Sequence, residues 1–77
     1  MDEAACRAGV LAALQDVHRD AGVLLSTPEA LHLDSLMVVA LVDALETRFD
    51  IHLQARDVTP QALASLTSIS ALVRAMM

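Results

Sequence analysis

The chain has 77 residues, of which 56% are hydrophobic and only 1% aromatic, and its formal net charge at pH 7 is −5. This length fits a single small domain, residues 1–77, and the core must be aliphatic because Phe49 is the sole aromatic residue. The negative charge disfavours nucleic acid and anionic membrane as partners, since both require a basic surface. We therefore expect neutral or basic proteins as partners.

The sequence carries no targeting or metal-binding signal. No stretch reaches the roughly 18 uncharged apolar residues of a membrane span, and no basic segment precedes an apolar run. Cys6 is the only cysteine, which excludes an internal disulfide, and the three histidines lack the spacing of metal ligands. All five basic residues are arginines; a GC-rich coding bias explains this better than exclusion of amines. We expect a soluble, cytoplasmic monomer without a metal site.

The first predicted element is a helix over residues 2–18. Asp2 is a favoured N-cap, and the apolar residues repeat along one helical face. That face consists of Cys6, Val10, Ala13, Leu14 and Val17. The helix is expected to end at the segment 20–22, which contains Gly22, and His18 is expected at the surface.

The connection over residues 19–33 is long but too apolar for a free linker. Its apolar residues are Val23, Leu24, Leu25, Leu31 and Leu33. We expect this segment to fold back over the core. Ser26 or Thr27 precedes Pro28, an order typical of a helix start, so one short turn is predicted there.

The second helix is predicted to begin at Ser35 and to end at Phe49, with Asp34 as its N-cap. Its predicted core face has the spacing i, i+3, i+4, i+7 and i+11. That face consists of Val38, Leu41, Val42, Leu45 and Phe49. Ser35 therefore places a hydroxyl where unpaired N–H groups and a partial positive charge favour an anion.

The last third of the chain predicts two further helices. Ile51 and Leu53 alternate with polar residues but have no partner strand, so this segment is predicted as a loop. Thr59 before Pro60 predicts a short third helix over residues 60–64. Ser65, Thr67 or Ser68 then caps a last helix whose apolar stripe is Leu66, Ile69, Leu72, Val73 and Met76. The predicted fold class is all-α, an irregular four-helix bundle with one short helix.

The segment Asp34-Ser35-Leu36 resembles the attachment motif of acyl carrier and peptidyl carrier proteins. The resemblance covers roughly residues 10–75, because segments 36–49, 57–60 and 65–73 are similar to the family's second, third and fourth helices. It implies an acyl-carrier-like fold in which Ser35 carries 4′-phosphopantetheine, transferred covalently from coenzyme A. Asp34 would serve as N-cap and as a contact for the transferase.

The resemblance also implies a function. We expect a stand-alone, non-catalytic carrier that holds acyl or aminoacyl intermediates as thioesters in a fatty-acid, polyketide or nonribosomal peptide pathway. The expected partners are a phosphopantetheinyl transferase, an acyl- or aminoacyl-loading ligase and downstream pathway enzymes. Two features are more similar to discrete carriers of specialised pathways than to housekeeping fatty-acid carriers. They are the segments 57–60 and 65–66 and the small number of acidic residues in the second helix.

Two departures from the family pattern concern the surroundings of Ser35. His32 stands where carriers usually have a glycine, and a solvated loop histidine is the preferred interpretation. The second helix is less acidic than is usual, and its first outward positions are apolar. The predicted partner surface is Leu36, Met37, Val39, Ala40, Asp43 and Glu46, with the two acids as a polar rim. Val39 and Ala40 could instead belong to the core.

Two alternatives to a carrier remain open from the sequence. His32, Asp34 and Ser35 together suggest a hydrolase, but no glycine elbow or oxyanion hole accompanies them. A small helical interaction module without a prosthetic group is the stronger rival. In that case Ser35 is an ordinary residue of the first helical turn.

Overall fold

A computed structural model describes residues 2–77, and within this range the chain forms helices and no strand. The helices are α1 (Glu3–Ala21), α2 (Ser35–Phe49) and α3 (Leu66–Met76), and a 3-10 helix spans Ala55–Asp57. The all-α prediction is confirmed. The short helix predicted over residues 60–64 is a single turn, and the fourth helical element lies just before it.

The helix ends follow from their capping residues. Asp2 Oδ1 accepts a hydrogen bond of 2.7 Å from Ala5 N at the start of α1. Gly22 ends α1 in the left-handed conformation with φ of 72°, a conformation that glycine adopts without the usual steric cost. Ser65 caps α3 by accepting from Ser68 N at 3.0 Å, and Ser68 Oγ accepts from Ser65 N at 3.0 Å. Of the three candidate caps for this helix, Ser65 is therefore the cap.

The turn at Thr59 has the predicted capping chemistry but does not continue. Thr59 Oγ1 accepts from Ala62 N at 3.1 Å, and Thr59 O accepts from Leu63 N at 3.1 Å. The carbonyl of Ala64 then accepts from Leu31 N at 2.9 Å, and Ser65 adopts the extended conformation of the α3 cap. Because α3 starts so soon, there is room for only one turn.

Helix α1 packs against both α2 and α3, and the core lies between the three helices. All of the residues expected on the core face of α1 are buried. The buried hydrophobic residues are Cys6, Val10, Ala13, Leu14, Val17, Met37, Leu41, Leu45, Phe49, Leu53, Leu63, Leu66, Ile69 and Val73. Val38 and Val42 of the predicted α2 face are only partly buried, as is Leu72 of the α3 stripe, while Met76 is exposed.

The connection between α1 and α2 folds back partly, as expected. Leu25, Leu31 and Leu33 pack against the core, but Leu24 is 84% exposed and Val23 is 46% exposed. Its turn over residues 28–30 is held to the start of α3. Leu66 N donates to Pro28 O at 2.8 Å. The segment that leads to Ser35 is therefore anchored on α3.

The expected surface position of His18 is wrong, because His18 is only 5% exposed. Its Nδ1 lies 2.7 Å from Leu14 O, and since a carbonyl only accepts, Nδ1 carries the proton. The connection that follows α1 passes beside the imidazole, since residues 23–27 and 30–32 line a groove together with His18. His52, in the loop after α2, is exposed. Among residues 2–77, no helix combines the length and hydropathy that crossing a bilayer requires.

Candidate functional site

The first turn of α2 is organised by Asp34. Its Oδ1 accepts from Met37 N at 2.9 Å, and its backbone carbonyl accepts from Val38 N at 2.9 Å. Asp34 has the extended backbone of an N-cap, and Ser35 is the first helical residue. The predicted cap and helix start are thus both present, because an Asp before a run of helix-compatible residues satisfies orphan N–H groups locally.

Ser35 is exposed at this helix start. In the described part of the chain, the N–H groups of Ser35 and Leu36 have no hydrogen-bond partner, and the first turn of α2 contains no Asp or Glu. The Asp34 carboxylate at the cap occupies Met37 N and leaves the N–H groups of Ser35 and Leu36 for a second anion. A phosphate ester on Ser35 Oγ would lie in a favourable field and near free donors.

The other serines of the described chain are placed differently. The hydroxyls of Ser65 and Ser68 are engaged in the capping box of α3, and Ser70 Oγ donates to Leu66 O at 2.7 Å in the interior. Ser26 is exposed, but it lies in the loop after α1 and not at a helix start. Only Ser35 combines exposure with a helix N-terminus among residues 2–77.

Two grooves flank the start of α2. The first, which we call the loop groove, has a volume of about 420 Å³ and lies between the segment before Ser35 and residues 58–64. Its lining residues are Leu31, His32, Leu33, Val38, Val58, Thr59, Pro60, Leu63 and Ala64. The second, which we call the α1–α2 groove, has a volume of about 350 Å³. Its lining residues are Val17, Asp20, Ala21, Asp34, Leu36, Met37 and Ala40.

The predicted partner surface is mostly, but not entirely, outward. Leu36 is 82% exposed and Val39 is 67% exposed, and Ala40 and Asp43 are exposed too, which settles the open question about Val39 and Ala40. Met37 is 4% exposed, so its expected outward position is wrong. It lies one turn before Leu41 on the buried face, which packs against α1. Whether the outward residues contact a partner stays a prediction.

Glu46 is less available as a rim residue than expected. It is half-buried, and its Oε2 accepts from Leu53 N at 2.8 Å and lies 3.3 Å from His52 Nδ1. These contacts tie the loop after α2 back to the helix. Asp43 has the exposure that a rim residue requires, whereas the side chain of Glu46 is occupied by its contacts with the loop after α2.

The remaining candidates of the sequence are distributed as follows. His32 is exposed beside the loop groove, as a solvated loop histidine should be. Asp34 uses Oδ1 for the helix cap, so this oxygen does not orient His32 as a triad would require. Cys6 is fully buried, and burial raises the pKa of its thiol. Within residues 2–77, no group of three His, Cys, Asp or Glu side chains is placed to hold a metal ion.

Glu29 is a residue that the sequence reasoning missed. Its Oε1 accepts from Thr67 N at 2.9 Å, its Oε2 accepts from Thr67 Oγ1, and Arg7 Nη2 lies 3.5 Å from Oε2. The hydrogen bonds from Thr67, side chain first, together with the Arg7 charge, lower the pKa of Glu29. The partners are 38 residues apart in sequence, so no local pattern could have indicated this contact.

The comparisons with known proteins bear on nearly the whole chain. The model of a protein family described as phosphopantetheine attachment site matches residues 10–76. This range includes Ser35, both grooves and all of α2. A comparison with curated proteins found no match. A comparison with solved structures found none either.

Proposed function

The chain belongs to the phosphopantetheine attachment family, and from this premise we propose that it is a carrier protein whose Ser35 hydroxyl holds the arm. The family binds 4′-phosphopantetheine covalently. The proposed carrier passes acyl or aminoacyl thioesters between enzymes of a fatty-acid, polyketide or nonribosomal peptide pathway. The observation that carries the assignment of the site is the exposed Ser35 at the N-terminus of α2, inside the matched range.

The residues around Ser35 fit this prosthetic group. The phosphodiester carries one negative charge, and the first turn of α2 offers it the free N–H groups of Ser35 and Leu36, because the Asp34 carboxylate occupies Met37 N. The α1–α2 groove and the loop groove both lie beside Ser35 and are lined mainly by aliphatic side chains. When bound, the group supplies a terminal thiol that carries the cargo as a thioester.

The chain's own residues prepare the hydroxyl but do not activate it. Asp34 holds the first turn through the bond from Met37 N, so that Ser35 faces solvent, where a transferase reaches it. During attachment, Ser35 Oγ would form a bond to the pantetheine-side phosphorus of coenzyme A while the pyrophosphate P–O bond breaks. Adenosine 3′,5′-bisphosphate leaves, and the proton of Ser35 goes to a base. Because Asp34 Oδ1 accepts from Met37 N and His32 is solvated, we assign that base to the transferase. We accordingly propose a carrier without catalysis of its own.

Intact-mass spectrometry tests the assignment. The wild-type protein is incubated with coenzyme A and a broad-specificity phosphopantetheinyl transferase. We expect a mass increase of one phosphopantetheine in the wild type and none in Ser35→Ala. Ser26→Ala is the matched control, because Ser26 is exposed too but lies outside a helix start, and it should be modified like the wild type.

The result also separates the carrier from its rival. An interaction module without the prosthetic group predicts that several transferases leave the wild type unmodified. Modification that persists in Ser35→Ala and disappears in Ser26→Ala would place the arm on the loop after α1. That outcome would keep the family and overturn the site.

A further inference from the structure

The α1–α2 groove has an apolar floor and an acidic rim. Val17 and Met37, which are 5% and 4% exposed, form the floor. Asp20 from α1 and Asp34 from α2 stand at the edge. Its volume of about 350 Å³ is near the lower end of the roughly 300–1,000 Å³ typical of ligand pockets. The groove has room for one bulky side chain from another molecule.

The groove exists because small residues face each other at this end of the helix pair. Ala21 and Ala40 line it from α1 and α2, and neither reaches across. At the opposite end the helices are in tight contact, since a Cβ on Gly9 would lie 2.7 Å from Phe49 Cζ. A further opening between these helices, of about 370 Å³, lies beside Ala13 and Ala44, so the α1–α2 groove is the opening at the Ser35 end of the pair.

An exposed apolar side chain stands at the edge of the groove. Leu36 lines it and is 82% exposed, next to Val39, which is 67% exposed. A leucine left this exposed beside an apolar floor favours association with an apolar partner surface. An inserted side chain would contact Leu36, Met37 and Val17 together.

The charges around the groove indicate the charge expected on the partner's surface. Asp20 and Asp34 form no ion pair among residues 2–77. Arg19 and Arg48 pair with Asp16, and Arg7 and Arg74 pair with Glu29 and Glu3. The cations near α1 are thus already paired with acids of the chain. A second copy with its own net charge of −5 is a poor match, whereas a basic protein surface is complementary.

We propose that the α1–α2 groove receives one apolar side chain from a basic surface of the enzymes that act at Ser35, with an adjacent Arg or Lys meeting Asp20 and Asp34. The inference rests on the proposed carrier function and adds the carboxyl end of α1 to the docking site. A partner that docks only on the outer face of α2 would not contact Ala21, whereas a partner that inserts a side chain into the α1–α2 groove would. A substitution at Ala21 therefore distinguishes these two modes of docking.

The test measures the steady-state kinetics of the phosphopantetheinyl transferase, which serves as the partner enzyme, with the carrier as its substrate. Ala21→Phe fills the groove, and we expect KM for the carrier to rise about tenfold with kcat unchanged, because an anchor contact is lost while Ser35 is untouched. Ala21→Ser keeps the groove open and should behave as the wild type. Ala71→Phe adds the same ring to an exposed position of α3 and should leave KM unchanged.

The rim is tested by charge removal. Asp20→Asn should raise KM about two- to threefold at low salt, and the difference from wild type should disappear at about 0.5 M NaCl, because exposed charge contacts are weak and screened. Asp50→Asn is the control, since Asp50 is exposed beyond the far end of α2 and Asn tolerates its φ of 53°. Denaturant midpoints near that of the wild type confirm that each variant is folded.

The outcomes separate this inference from the proposed function. An unmodified wild type overturns both. A modified wild type with equal KM in Ala21→Phe overturns the groove and leaves the carrier assignment intact. A loss confined to kcat also overturns the groove, since it would place the effect at Ser35.

Discussion

Phe49→Ala tests the contact between α1 and α2 most directly. Phe49 is 8% exposed at the end of α2. A buried aromatic side chain removes about 150–250 Å² from water, which at about 25 cal/mol per Å² corresponds to about 4–6 kcal/mol as an upper estimate. The alanine keeps part of this area, so we expect a loss of about 3–5 kcal/mol in the free energy of unfolding.

This loss is large relative to the stability of the whole chain. A stability of roughly 0.05–0.15 kcal/mol per residue gives about 4–12 kcal/mol for 77 residues. Urea denaturation followed by circular dichroism measures the change, with Leu36→Ala as the control because Leu36 is 82% exposed. A Phe49→Ala midpoint close to that of Leu36→Ala would refute the packing described for the end of α2.

The substitution Gly9→Ala tests the same contact without relying on the absolute size of the change in the free energy of unfolding. A Cβ on Gly9 would lie 2.7 Å from Phe49 Cζ, so Gly9→Ala forces the ring to shift. Overpacking costs about 1–3 kcal/mol, against a helix-propensity gain of about 0.5–1 kcal/mol. We expect Gly9→Ala to destabilise the wild type but to stabilise Phe49→Ala, where the ring is absent. The same effect in both backgrounds would show that the two residues do not touch.

Two further predictions concern the helix cap at Asp34 and the hydrogen bonds between Glu29 and Thr67. Asp34→Ala should lower the free energy of unfolding by about 0.5–2 kcal/mol, whereas Asp34→Asn keeps the cap and should leave the free energy of unfolding nearly unchanged. If the transferase modifies Asp34→Asn more slowly than the wild type, the difference in rate measures the contact of the Asp34 carboxylate with the transferase. Glu29 has a lowered pKa in the folded chain, so its contribution to stability is present above its ordinary pKa of 4.5 and is lost as the pH falls through the lowered value. Acidification should therefore destabilise the wild type more than Glu29→Gln in urea titrations, and equal losses would assign the effect to other carboxylates.

The helix starts could be predicted from the sequence because capping is local. Asp2, Asp34 and Ser65 each accept a hydrogen bond from an N–H three residues later. Such a bond needs only a short polar side chain followed by residues that permit a helix. The position of Ser35 relative to its cap was fixed by the same local chemistry.

The rotation of α2 could not be fixed with the same precision. Residues 36–42 are all apolar, so the helical period leaves the centre of the buried face uncertain by one position. Packing against α1 selects the row Met37, Leu41, Leu45 and Phe49. Val38 is consequently at the edge of the buried face, and Met37 forms the floor of the α1–α2 groove instead of facing outward.

Contacts between distant segments explain the other differences. His18 is buried beside the connection that follows α1, and Glu29 finds Thr67 at the start of α3. The 3-10 helix did carry a local signal, since Gln54 N donates to Asp57 Oδ2 at 2.9 Å across three residues, as at a capped helix start. The spacing of Gln54 and Asp57 is visible in the sequence.

The surroundings of Ser35 therefore have two physical origins. The cap at Asp34 fixes the hydroxyl on the helix, and a local substitution is enough to disturb it. The loop groove depends on long-range contacts: Leu31 N donates to Ala64 O at 2.9 Å and Leu66 N donates to Pro28 O at 2.8 Å, which holds the segment before α2 against the start of α3 and the turn before it. A change in the cap should alter how fast Ser35 is modified, whereas a change in these distant contacts should alter which protein surfaces fit beside it. The cap therefore acts on the presentation of the Ser35 hydroxyl, and the distant contacts act on the shape of the loop groove, although both lie at the start of the same helix.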